Sequence, residues 1–207
     1  MNKAAKNNVM DTEQILKLNI ENIDKAYGGV RGTTLSSRRN LRFWPRIKEY
    51  GVRTIIELRC DDHSSRLSKL CEQHGLNYFE FPIDSRTISD EAIAEKLPDF
   101  FNIIDEGDFY IACAMGLHRT DIALSVYWMF HGADKGLPPP YLKGHIVDGK
   151  LLLERLNNKV YRRLNSLYTY LSEEGKFDIP NEVVFKERKL KLKCEKFYQN
   201  VYFFQCK

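Results

Sequence analysis

The 207-residue chain has no long apolar run, and no stretch approaches the roughly 20 consecutive apolar residues a membrane-crossing helix needs. Residues 1–11 are polar and rich in Asn and Lys, without the apolar centre of a secretory leader, so a cytoplasmic protein is expected. Cysteines are few and unpaired in pattern. The five, Cys60, Cys71, Cys113, Cys194 and Cys206, are odd in number and none forms a C-x-x-C. That argues against a disulfide framework and against structural zinc, and fits a reducing compartment with a working thiol. His63, His74, His131 and His145 show no ligand spacing, so no metal and no cofactor are expected. The excess of positive over negative charge is also small: 32 Lys and Arg against 28 Asp and Glu leave a formal net charge of +4. This suits an anionic substrate but is too weak to point to nucleic acid as a partner. There is no internal repeat and no low-complexity segment.

What is present is a core and an alternating pattern. Hydrophobic residues make up 43% of the chain, enough for one α/β domain with some decoration. Residues 11–25 carry loosely helical apolar spacing, and 27–35 predict a short strand and turn. Residues 37–50 predict a helix that Pro45 breaks or restarts. Residues 52–58 are short, apolar and β-branched, hence a strand. A helix follows over 64–74, with Gly75 as its cap, and then a strand over 76–83. Ser89 is a good N-cap for a helix reaching about residue 105, interrupted near Pro98. Residues 108–113 predict a buried strand, 116–131 a buried helix, and 132–149, with Pro138, Pro139 and Pro140, a loop. A strong amphipathic helix spans 150–174. Residues 189–194 then alternate with period 2 and 201–204 are apolar, which predicts two added strands.

This order predicts an α/β fold: a small, mostly parallel central sheet flanked by helices, with extra C-terminal strands. The expected divisions are an N-terminal extension (1–25), a main domain (26–175) and a C-terminal β extension packed on it (176–207). Ligands of such sheets sit at the carboxyl ends of the strands. The end of the strand over 108–113 is therefore the place to look.

That strand ends in Cys113-Ala114-Met115-Gly116-Leu117-His118-Arg119-Thr120. A bare C-x5-R is weak, but a Gly at the fourth position, a Thr after the Arg and a strand-before, helix-after setting make it specific. Each piece has a physical use. A loop closing onto a helix N-terminus aims backbone N–H groups at one spot, where the dipole favours an anion. Gly116 lets the backbone curl. Arg119 offers a planar fork for two phosphoryl oxygens. Residues 114–119 together would bind the substrate's phosphate. The same features stabilise a thiolate at Cys113, which can attack phosphorus in line and form a phosphocysteine. Thr120 is placed to donate its hydroxyl to the sulfur as it departs. The bland alternative, a buried inert Cys113 beside a surface Arg119, leaves Gly116 and the strand-loop-helix setting unexplained.

These residues resemble the signature of the protein tyrosine phosphatase superfamily, H-C-x-x-G-x-x-R-S/T, and the chain looks most like its small dual-specificity branch. The resemblance covers about residues 27–171, with low-specificity support from Gly28-Gly29-Val30, from 52–59 and from 78–84. One position departs: Ala112 stands where the family has the His that organises the loop. The resemblance implies a phosphomonoester hydrolase with an Asp general acid upstream of the cysteine. Asp84, just past a strand, is favoured over Asp90, which suits the first turn of a helix.

Relatives selective for phosphoinositides usually carry Lys in the loop. Here the variable positions are Ala114, Met115, Leu117 and His118, which favours phosphotyrosine or a dual-specificity phosphoprotein. The alternatives are a phosphoinositide, an inositol phosphate or an RNA 5′-triphosphate as substrate, a phosphate-binding module without turnover, and, last, a sulfurtransferase. A partner is therefore expected to be a phosphorylated protein or a small phosphate ester. The resemblance also suggests that Cys60 protects an oxidised Cys113 as a disulfide. Arg59, Asp61 and Asp62 line the cleft or form a polar loop. The basic segment 186–196 fits a lysine-guarded edge strand better than a docking site for an anionic partner or a membrane surface.

Overall fold

The computed structural model describes residues 10–59, 62–83, 88–143, 146–147, 150–151, 166–167 and 170. The chain divides into two compact units. The first holds the chain up to Glu80 together with Asn102–Gly116, and the second holds Phe81–Phe101 and the chain from Leu117 onward.

The first unit carries all five strands of the main sheet: β1 (Asp24–Ala26), β2 (Gly29–Thr33), β3 (Thr54–Glu57), β4 (Asn77–Glu80) and β5 (Phe109–Cys113). They lie in the order β1-β2-β5-β3-β4. β2, β5, β3 and β4 run parallel, and only β1, paired with β2 through a tight turn, is antiparallel. Helices α1 (Thr12–Leu16), α2 (Trp44–Glu49) and α3 (Asp62–His74) belong to the same unit. This is the predicted α/β arrangement with a small, mostly parallel sheet.

Period-2 alternation explains which side chains meet. Val30, Ile55, Tyr110 and Ala112 share one sheet face through the pairings Val30↔Tyr110, Ile55↔Tyr110 and Gly32↔Ala112. They pack in one cluster with Ile15 of α1, Trp44 and Ile47 of α2, and Leu67 and Cys71 of α3. Each such aliphatic side chain contributes about 1.5–3 kcal/mol by leaving water. Trp44 also donates its indole N–H to the Leu35 carbonyl at 3.1 Å and stacks on His74 at 5.4 Å between ring centroids. Gly32 is required here, because a Cβ would lie 2.3 Å from the Tyr110 hydroxyl oxygen, whose hydrogen goes to the Thr33 carbonyl at 2.7 Å.

Cys71 sits in this cluster with no exposed surface, and burial pushes its thiol up to about 12. Iodoacetamide at pH 8 is therefore expected to leave Cys71 unmodified in the folded protein and to label it only under denaturant. Peptide mass spectrometry reads the outcome; labelling of Cys71 at equal rates in both states would contradict this packing.

Three local expectations hold with changed bounds. Pro45 restarts the helix predicted over 37–50: a 3-10 turn (Leu41–Phe43) precedes α2, with Pro45 in its first turn, where no amide hydrogen is needed. Gly75 at φ 60° closes α3, with the Leu76 amide reaching the Cys71 carbonyl at 2.9 Å. The helix expected up to residue 105 is two pieces, α4 (Asp90–Ala94) and α5 (Leu97–Glu106), with Pro98 in the first turn of the second.

Two expectations are corrected. Residues 11–25 are not one loose helix. α1 stops at Leu16, Asn22 takes a left-handed turn at φ 59°, and Asp24–Ala26 pair as a strand. Tertiary pairing with β2 outweighs the weak helical spacing. The loop predicted over 132–149 ends in a two-residue strand β6 (Ile146–Val147), paired antiparallel with β7 (Lys150–Leu151), where the amphipathic helix was expected to begin. Ser166 and Leu167 are helical, while most of 150–174 and all of 176–207, with the two C-terminal strands and the basic segment, lie outside the described residues.

In the second unit, α6 (His118–Tyr127) runs on into a π-helical turn (Trp128–Gly132). Phe101 stacks on His131 at 4.9 Å and meets Tyr127 edge-on at 5.9 Å, and Phe81 stacks on Phe100 at 4.2 Å. Aromatic pairs at such distances add about 0.5–1.5 kcal/mol each beyond their burial.

Candidate active site

The parallel pairing brings three strand ends to one level, with Thr33 beside Cys113 and Glu57 beside Ala112. Cys113 is the last residue of β5 and is buried. Its carbonyl accepts from the Thr34 amide at 3.0 Å and from the Gly116 amide at 3.4 Å. The second bond closes a tight turn through Ala114 and Met115, both exposed. Gly116 completes the turn at φ 63°. A Cβ there would lie 2.3 Å from the Gly32 carbonyl group, so only glycine fits between loop and β2. Ala112 faces the core cluster.

The remaining half of the predicted loop opens the second unit. Leu117 is the N-cap of α6 and makes no side-chain cap, so the amides of the first turn are not taken by a capping side chain. His118, Arg119 and Thr120 form that first turn; His118 and Arg119 are half-buried and Thr120 is fully buried. The helix thus begins two residues later than residue 116. Ala114, Met115, Gly116, Leu117, His118 and Arg119 all lie on the turn or on the helix start, as the spacing predicts.

Asp84 and Cys60 lie outside the described residues. Asp90 is described and has structural work. It is the first residue of α4 behind the N-cap Ser89, whose hydroxyl accepts from the Ala92 amide at 3.2 Å, and its carboxylate accepts from the Ser166 hydroxyl.

A buried polar cluster flanks the carboxyl end of β5. Arg59 donates Nε to Glu57 at 2.9 Å and Nη2 to the hydroxyls of Thr34 and Ser36, both at 3.1 Å. Thr34 donates to the other Glu57 oxygen at 3.2 Å. Arg59 is therefore neither an exposed cleft residue nor part of a solvated loop. The signal was in the sequence: Glu57 and Arg59 are two apart, hence on one side of the extended chain, and a Glu in so apolar a strand needs a buried partner. The cluster ties the segment after β2 to the segment after β3, on either side of Cys113.

Burial raises the Glu57 carboxyl above its ordinary 4.5, against the lowering pull of Arg59. The native state then holds this proton more tightly than the unfolded chain does. Its stabilising share is full below about pH 4.5 and is lost as pH rises through the raised native value. Urea unfolding across that window should show wild-type stability falling relative to Glu57→Gln. A difference that is flat or rises with pH would contradict the assignment.

Among the described residues, no group of three or more His, Cys, Asp or Glu is placed to hold a metal ion, and no helix is long and apolar enough to cross a membrane. Missed from sequence were Asn22 and Arg31, which bond the loop from the turn before β1 and from β2, and Thr33, which pins that turn.

No family model matches the sequence, and no curated protein matches it. Among solved structures, the chain is similar to a Shewanella putrefaciens protein of the DUF442 group, named as a candidate phosphatase. The identity is 18%, over 81% of this chain and 98% of that one, with a TM-score of 0.47. It is also similar to the core catalytic domain of the PP-IP phosphatase SIW14 from S. cerevisiae, at 12% identity over 86% and 93%, TM-score 0.44. A third is P. aeruginosa TpbA in complex with phosphotyrosine, at 13% identity over 75% and 90%, TM-score 0.39.

Proposed function

We propose that this protein is a cysteine-dependent phosphatase that hydrolyses phosphomonoesters through a phosphocysteine. The observation that carries the reading is the order of parts in one continuous segment. Cys113 ends a parallel strand, Gly116 turns the chain at φ 63°, and Arg119 and Thr120 stand in the first turn of α6. This is the setting in which backbone amides and a helix start favour an anion.

The Cys113 thiolate attacks phosphorus, a sulfur–phosphorus bond forms, and the ester oxygen leaves. Asp84 gives its proton to that leaving oxygen. A water then attacks phosphorus, its proton passes to the ionised Asp84, and the sulfur–phosphorus bond breaks to return the thiolate. Thr120 donates its hydroxyl to the departing sulfur. Arg119 holds two of the phosphoryl oxygens throughout, with loop amides other than that of Gly116, which closes the turn, on the remaining one. Asp90 is the weaker candidate for the acid because its carboxylate already serves α4 and Ser166.

The substrate class we favour is a phosphotyrosyl or dual-specificity phosphoprotein. The exposed loop positions, Ala114 and Met115, are uncharged, which suits an aryl ring better than a polyphosphorylated inositol. The test is hydrolysis of p-nitrophenyl phosphate without added metal, with inhibition by vanadate. Asp84→Asn is expected to keep oxyanion binding and lose about 100-fold or more in turnover, with Asp90→Asn much less affected. A panel of phosphotyrosyl peptide, inositol phosphate and RNA 5′-triphosphate then ranks substrates. No turnover between pH 5 and 8 with oxyanion binding retained would favour a phosphate-binding module.

A further inference from the structure

The loop that follows Cys113 is held by its carbonyl oxygens. The Met115 oxygen accepts from the side-chain amide of Asn22 at 2.8 Å, and the Thr33 hydroxyl, whose hydrogen goes to the nearer Glu21 carbonyl, lies 3.4 Å from it. The Gly116 oxygen accepts from Nη2 of Arg31 at 2.9 Å. Arg31 is 1% exposed, on β2, and a cation so placed is costly unless its bonds repay desolvation. Asn22 occupies the left-handed region, which Asn tolerates better than most residues. Thr33 pins the turn that carries Asn22, bonding the Glu21 carbonyl with its amide at 3.0 Å and its hydroxyl at 2.7 Å.

A trans peptide plane points its oxygen and its hydrogen in opposite directions. With the Met115 and Gly116 oxygens held toward these donors, the amide hydrogens of Gly116 and Leu117 point the other way. The first reaches back to the Cys113 carbonyl and closes the turn. The second belongs to the plane that leads into α6. Gly116 takes either sign of φ at little cost, so an unheld plane beside it can turn over. A turned plane offers a carbonyl oxygen, the negative end of its dipole, to an incoming anion.

We propose that Arg31 is a positioning residue that locks the Gly116–Leu117 peptide plane in the anion-accepting orientation, assisted by Asn22, which holds the neighbouring Met115–Gly116 plane whose amide closes the turn, and by Thr33, which pins the turn that carries Asn22. The proposal rests on the phosphatase reading only for the nature of the anion, a phosphoryl group.

Tungstate binding to the full chain, measured by calorimetry, reads the loop without turnover. Arg31→Met is expected to weaken tungstate about tenfold or more, because a charged donor is lost, and to lower kcat/KM for p-nitrophenyl phosphate in step. Arg31→Lys should recover part of both. Asn22→Ala should lose about threefold. A folded Arg31→Met that binds tungstate like wild type, or an Arg31→Lys no better than Arg31→Met, overturns the proposal. If Arg31→Met does not fold, Asn22→Ala decides: unchanged tungstate affinity overturns it and a loss supports it. Arg31-dependent tungstate binding without hydrolysis supports the lock and overturns the phosphatase reading. Hydrolysis undiminished in Arg31→Met does the reverse. A wild-type chain that neither binds tungstate nor hydrolyses ester overturns both.

Discussion

Cys113→Ser is expected to remove hydrolysis of p-nitrophenyl phosphate, with a fall of about 10⁴-fold or more, while tungstate still binds. Serine keeps the size of the side chain but replaces the thiol with a hydroxyl, a far poorer nucleophile, and the variant therefore separates attack from binding. The Cys113 carbonyl, which the replacement leaves in place, keeps its bonds from the Thr34 and Gly116 amides. Rapid acid quenching of wild type with radiolabelled substrate should trap a phosphoryl group on Cys113 and none on the serine variant. Turnover within tenfold of wild type in Cys113→Ser would exclude Cys113 as the nucleophile.

Gly116→Ala is expected to be the most damaging single methyl group in the loop. Two costs add. A non-glycine residue at φ 63° costs about 1–2 kcal/mol on its own. The added Cβ would also stand 2.3 Å from the carbonyl carbon and oxygen of Gly32 and 2.8 Å from the Thr33 nitrogen, all backbone atoms that cannot rotate aside. Overpacking of that kind costs about 1–3 kcal/mol more. Relief requires the turn to lift from β2, which would break the bond from Arg31 to the Gly116 carbonyl. Chemical denaturation should show a loss of about 2–5 kcal/mol, accompanied by weakened tungstate binding. Wild-type stability and affinity in Gly116→Ala would mean that the turn does not rest on β2 as described.

The order of parts in the proposed site was readable because they are contiguous. The proposed nucleophile Cys113, the glycine, the arginine and the threonine fall within residues 113–120, and strand-to-helix is a local pattern. The same holds for Gly75 at the end of α3, for Ser89 at the start of α4, and for the interruptions at Pro45 and Pro98, each a matter of one residue's own backbone preference. β1 was not legible. Asp24-Lys25-Ala26 has no apolar alternation, and it is a strand only because β2 lies beside it. Glu57 and Arg59 stood in between: their period-2 spacing was visible, but the Thr34 and Ser36 hydroxyls that complete the cluster come from another strand end.

The order of the Cys113 loop, its strand-before, helix-after setting and the kinds of group it carries follow from the residues alone. How that loop is held depends on contacts between segments distant in the chain. Asn22 and Arg31 are 93 and 85 positions from the residues whose oxygens they bind. Sheet order places β2 against β5, so that a turn before one strand and a buried cation on another meet the loop after a third. A hydrogen bond of that kind depends on where backbones cross in space, and no spacing along the chain encodes it.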